Sequence, residues 1–177
     1  MIIYPFPARD KHNPFLQEMY RHLDVVTPTA LWKITKPGII HIHWSTILYG
    51  SSWALKSLVL IAANFSRLYF LKIVRGCKII WTMHNYHAHD YPHPWVDRLG
   101  RALLFRLADA VIIQQETAQQ ILSRQYPRKR IIYIPLGNYI GLYGPRQTSA
   151  HQTTRLLSFG MNRPYKKNDA IRTAVTN

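Results

Sequence analysis

The chain has 177 residues, of which 47% are apolar and only 18% charged, enough for a packed core and too few charges for a disordered chain. Lys and Arg number 23 against 8 Asp and Glu, a formal charge of +15 that draws anionic partners without choosing among phosphorylated substrates, anionic lipid and nucleic acid. The single cysteine, Cys77, excludes an intrachain disulfide, fits a reducing compartment and stands at the head of an apolar run, where a small buried filler is expected.

Ile2, Ile3 and Tyr4 read as a first strand closed by Pro5 and Pro7, and no basic segment precedes an apolar run as in a secretory signal. Asn13-Pro14 is a helix start, with Asn13 as N-cap and Pro14 in the first turn; Phe15, Leu16, Met19, Tyr20 and Leu23 share one helical face. A short strand is expected over 24–27 and another over 39–44, after the Pro37-Gly38 break. Residues 51–74 are long, apolar and helical in period, which raises the question of a membrane span. Lys56, Asn64 and Arg67 fall on one side of that helix with Lys72 at its flank, so the pattern predicts an amphipathic helix packed on a sheet, with a membrane-surface role as the sharper alternative.

Residues 77–90 pass from an apolar strand into a loop crowded with histidines. Pro92 and Pro94 open a helix with Val96, Leu99, Leu103 and Leu107 in register; 109–113 is a strand, 117–124 a helix and 130–135 a strand. Strands alternating with helices predict an α/β domain with a doubly wound, mostly parallel, Rossmann-like sheet over 1–143. Residues 144–154 read as a linker, and 155–177 as the first strand and tail of something new.

His84, His87, His89, Asp90 and His93 are metal-ligand types at close spacing, but the His-x-His-x-Asp-His register of metallohydrolases is not met and no His-Glu-x-x-His is present. The alternatives are loop histidines bonded to backbone and water, and a substrate site in which His84, the first polar side chain after the apolar run, hydrogen-bonds or deprotonates a hydroxyl. In Phe159-Gly160-Met161-Asn162-Arg163-Pro164-Tyr165-Lys166, a glycine followed by two cations can cradle a diphosphate.

An ordered set of segments then resembles the N-terminal half of a GT-B glycosyltransferase of the retaining group 1 (family 4) type. They are Asn13-Pro14-Phe15, Ile40-His41-Ile42-His43-Trp44, Trp81-Thr82-Met83-His84-Asn85, Ala108-Asp109-Ala110-Val111-Ile112, Ile134-Pro135-Leu136-Gly137-Asn138-Tyr139, and 159–166. The resemblance implies one half of a GT-B fold, with sugar transferred from a nucleotide-sugar to a glycan or lipid-linked acceptor and no further cofactor or metal. It implies His84 as catalytic, Asn13, Asn85, Gly137 and Asn138 as substrate-binding, and Gly160, Arg163 and Lys166 as holding the donor diphosphate. It also implies a cytoplasmic protein, peripheral at the inner membrane face through the 51–74 helix. Leu136-Gly137 and Lys166-Lys167 stand where the family often has His-Gly and Lys-Gly. The similarity fades after Lys166, so a donor domain supplied by a separate chain, and no activity from this chain alone, are expected. Two other functions remain open: a basic, non-enzymatic module on anionic membrane or nucleic acid, the latter disfavoured by the lack of a recognised motif, and a histidine-loop metal hydrolase.

Overall fold

The computed structural model describes residues 1–7, 13–84 and 91–137, all within one compact unit, Met1–Tyr143. The sequence-expected linker and stub at 144–177 lie outside the described residues. Five parallel strands form one sheet in the order β1 (Ile3–Phe6), β2 (Ile39–Ile42), β3 (Lys78–Met83), β4 (Ala110–Ile113) and β5 (Ile131–Tyr133). Helices α1 (Pro14–Met19), α2 (Ala54–Ile73), α3 (Pro94–Leu107) and α4 (Glu116–Gln125) lie between them in sequence. The α/β, Rossmann-like reading therefore holds.

The winding reverses at β1. Val25 forms a single parallel bridge with Ile3 on the edge of β1 opposite β2. Its ladder is two hydrogen bonds, Ile3 N to Asp24 O at 3.1 Å and Val26 N to Ile3 O at 3.0 Å. The strand expected at 24–27 is thus one bridge. This also explains why Pro5 sits inside β1 rather than ending it. In a parallel strand alternate residues bond to alternate sides, and Pro5 faces the Val25 side, where pairing has stopped and no donor is needed.

Alternation along the strands sorts the two sheet faces. Ile40, Ile42, Ile79, Trp81, Val111 and Ile113 are buried against Ile61, Phe65, Leu68 and Leu71 of α2, Val96 and Leu104 of α3, and Leu122 of α4. The intervening residues, His41 on β2 and Thr82 on β3, belong to the other face. At the β3–β4 crossing, Asp109 Oδ2 accepts from Ile79 N at 2.8 Å while its Oδ1 pairs with Lys72 Nζ at 3.0 Å. Burial raises the Asp109 pKa, but the Ile79 amide and Lys72 outweigh it and hold the carboxyl below its ordinary value.

Helix α2 departs from the sequence expectation in its orientation. Its polar residues do not form the solvent face. Arg67 donates to the carbonyls of Leu31, Trp32 and Ile34 at 3.4, 3.2 and 3.1 Å, Asn64 to Leu48 O at 2.7 Å, and Lys72 to Leu107 O at 2.7 Å. These side chains flank the buried face and fasten it to backbone that would otherwise lack partners.

Between α2 and α3, the Tyr49 ring is clamped by hydrogen bonds from its hydroxyl to Asp97 Oδ1 at 2.6 Å and Ser45 Oγ at 3.0 Å. Gly100 of α3 lies against this ring, and a Cβ there would come within 2.4 Å of Tyr49 Cε1. The ring cannot yield without breaking buried hydrogen bonds. Gly100→Ala is therefore expected to lower stability by about 1–3 kcal/mol through overpacking, more than the ~1 kcal/mol gained in helix propensity. Urea melts that show Gly100→Ala as stable as the parent, or more so, would contradict this packing.

Candidate functional site

The residues that carry chemistry gather at the carboxyl ends of β2, β3 and β4, on the face away from α2 and α3. This is the edge where open parallel sheets bind ligands, beside the point where the winding reverses. His41 lies in β2 and His43 follows it, two residues apart and therefore on one face; Thr82 is in β3, His84 just after it, and Gln114 just after β4. Helix α1 closes the site from the other side with Phe15 and Tyr20.

A continuous hydrogen-bonded chain links these groups. The Tyr20 hydroxyl lies 2.6 Å from both His41 Nδ1 and His43 Nε2. His41 Nε2 is 2.8 Å from Thr82 Oγ1, His43 Nδ1 is 3.4 Å from His84 Nε2, and His84 Nδ1 is 3.1 Å from Gln114 Oε1. With Gln114 Oε1 as the terminal acceptor, every tautomer follows. His84 donates from Nδ1 to Gln114 and accepts at Nε2 from His43 Nδ1–H. His43 then accepts at Nε2 from the Tyr20 hydroxyl. Tyr20 accepts from His41 Nδ1–H, and His41 Nε2 accepts from Thr82. Each imidazole gives one proton and takes one, so all three are satisfied while neutral.

Burial enforces that neutrality. His41 is lowered to about 4 by burial and then by the proximity of His84. Burial, with His41 and His84 nearby, takes His43 down to about 2. His84 is lowered by burial, against a smaller upward pull from its hydrogen bond to Gln114. Burial likewise raises Tyr20, so the phenol keeps its proton. Aromatic rings complete the surroundings: Trp44 stacks on His84 at 5.1 Å between centroids, and Phe15 meets His84 edge-on at 5.0 Å and His43 at 5.7 Å.

The sequence-predicted residues are distributed unevenly with respect to this site. His84 lies within it. Asn13 caps α1 as expected, its Oδ1 accepting from Phe15 N at 3.1 Å and Leu16 N at 3.4 Å, so it acts by orienting the helix that carries Phe15. Gly137 is exposed after β5, with nothing near its Cα that a side chain would meet. Asn85, Asn138, Gly160, Arg163 and Lys166 lie outside the described residues, as do His87, His89 and Asp90. His93 stands apart from the cluster, with Nε2 donating to Ser52 O at 2.9 Å before α3. Among the described residues no group of three or more His, Cys, Asp or Glu is placed to hold a metal ion.

The site members missed by sequence reasoning are His41, His43, Tyr20, Thr82, Gln114 and Trp44. A signal existed for the first two. In Ile40-His41-Ile42-His43 the two-residue period of a strand puts both imidazoles on the face opposite the isoleucines. No family model matches the chain, and no curated protein does.

The depressed histidines couple stability to pH. The unfolded chain takes up protons near the ordinary value of 6.5, whereas folded His41 and His43 refuse them until about 4 and about 2. The unfolded state thus binds more protons as pH falls. Stability is complete above about 6.5 and is lost below it, by roughly 1.4 kcal/mol per pH unit for each neutral imidazole. His43→Gln, which keeps an acceptor for Tyr20, is expected to flatten that acid limb by one such increment in denaturant melts. An unchanged slope would show that His43 is not held neutral.

Proposed function

We propose that this domain binds a sugar hydroxyl at the His84 end of the network, as the acceptor side of a nucleotide-sugar-dependent glycosyltransferase. The observation that carries the reading is the combination at one sheet edge of neutral hydrogen-bonding imidazoles with the Trp44 and Phe15 rings around His84. Sugars present hydroxyls that both donate and accept, beside apolar C–H faces that pack on aromatic rings. A site of uncharged donor–acceptor groups and ring faces matches both features and avoids the desolvation cost of a buried ion.

The geometry supports a specific role for His84. Its Nδ1 is committed to Gln114, while its Nε2 faces His43 across 3.4 Å, the longest link in the chain. That contact is the one most readily exchanged for an incoming hydroxyl, which would donate to Nε2. Because burial lowers the His84 pKa, the ring is a weak base near neutrality and orients the hydroxyl better than it would hold its proton. The donor diphosphate would fall to Gly160, Arg163 and Lys166, where a glycine and two cations suit a leaving phosphate. The donor is then a nucleotide-sugar, and the acceptor a glycan or a lipid-linked saccharide.

The test is saturation-transfer NMR of the full chain with a panel of neutral oligosaccharides, beside incubation with radiolabelled nucleotide-sugars and membrane lipid. A saccharide is expected to contact the protein, with affinity reduced about three- to tenfold by His84→Ala, the worth of one neutral hydrogen bond, and further by Trp44→Ala. Saccharide contacts indifferent to both substitutions, or no contact from any member of the panel, would sink the reading.

A further inference from the structure

We propose that α2 rests with its outward face on an anionic membrane surface, lying in the interface without crossing it. The inference stands on a different face of the molecule from the histidine site and does not depend on what that site binds.

The first observation is a stripe. Leu55, Val59, Ala62, Ser66, Phe70 and Ile73 follow one another at steps of three and four residues, and all are exposed. They run the length of the 20-residue helix on the side opposite buried Ser57, Ile61, Phe65, Leu68 and Leu71. No charged side chain interrupts the stripe. A helix that is apolar towards the core and apolar again towards solvent has a second apolar phase to meet.

The second observation is where the charges went. Arg67, Asn64 and Lys72 point back to backbone carbonyls of the domain. Lys33, Lys56 and Arg75 are exposed, Lys33 in the turn whose carbonyls Arg67 grips and Arg75 just past the helix. The sequence from Val25 to His89 contains seven Lys and Arg and no Asp or Glu. Trp53 and Trp32 are exposed at 74% and 68%, the former immediately before α2 and the latter bonded through its carbonyl to Arg67. An apolar stripe with cations and tryptophans beside it matches a bilayer interface, where apolar groups enter the acyl boundary, indoles sit at headgroup level and cations meet anionic lipid.

The same facts decide against other occupants. By length and composition α2 could cross a bilayer, but spanning would strip Ile61, Phe65, Leu68 and Leu71 from the core and carry Lys56, Arg67 and Lys72 into hydrocarbon. A second copy docked face to face would set one cationic surround against another, with no carboxylate from the whole 25–89 segment to neutralise it.

The test is flotation of the full chain with phosphatidylcholine vesicles, with and without phosphatidylglycerol. The protein is expected to float only with the anionic vesicles, to be released by raised salt, and to be extracted by alkaline carbonate. V59E/F70E alters only exposed positions, so its melting curve should match the parent while vesicle affinity falls at least about tenfold. Ile121→Glu, on the exposed face of α4, should float like the parent. The proposal is overturned if the parent ignores anionic vesicles, if V59E/F70E floats as well as the parent, or if carbonate fails to extract the bound protein. A concentration-dependent dimer abolished by V59E/F70E, without vesicle binding, would assign the stripe to self-association and equally overturn it.

Discussion

One phenol holds the functional edge of this domain together. The Tyr20 hydroxyl sits 2.6 Å from a nitrogen of each of two histidines that alternate on one strand. A hydroxyl can give one proton and accept another, so this single atom forces His41 and His43 into complementary tautomers. The choice is passed outward to Thr82 at one end and to His84 and Gln114 at the other. The bond also anchors the end of a six-residue helix to the sheet, which a short helix could not secure through its own buried surface. Site order and local fold therefore depend on the same contact.

The opposite sheet face solves another problem by the same means. Strand parity sends Ile40, Ile42, Ile79 and Trp81 towards α2 and α3, and the cations of α2 are used as staples to backbone. Lys72 holds the end of α3 and Asp109, and Arg67 holds the 31–34 turn. Such fixed ion–carbonyl contacts hold a long helix in register along its length, where an exposed lysine would contribute little. The consequence lies on the outside of α2, where only small and apolar residues remain along the centre of the face.

The alternation of strands and helices was legible because each crossover carries its own period. The switch from two-residue to helical spacing marks β2 to α2, β3 to α3 and β4 to α4 in turn. The sense of amphipathicity of α2 was not legible. A helical wheel shows that Lys56, Asn64 and Arg67 share a side, but not that Asn64 and Arg67 have carbonyl partners there, because those carbonyls come from residues 31–48, distant in sequence. His84 was visible as the first polar side chain after an apolar run. Its neighbours were hidden for the same non-local reason: Tyr20 reads as one more apolar position on a helix, and only folding brings it against His41. His41 and His43 were within reach of strand parity, since alternation with two isoleucines already placed them together.

The distribution of charge joins these features. The protein carries a formal +15, yet the described site keeps its ionisable groups, three imidazoles and a phenol, neutral by burial and mutual bonding. Had the site been built to draw in an anion by charge, burying three weakly basic rings where they cannot take a proton would work against it. Cations exposed near α2 instead keep their hydration and their long-range field. Attraction and recognition are thus assigned to separate surfaces: a charged one that concentrates an anionic partner, and an uncharged one that discriminates by hydrogen-bond direction and ring contact. A ligand with an uncharged, hydroxyl-bearing part and an anionic anchor satisfies both at once, whereas one offering only charge finds nothing at the His84 edge to hold it.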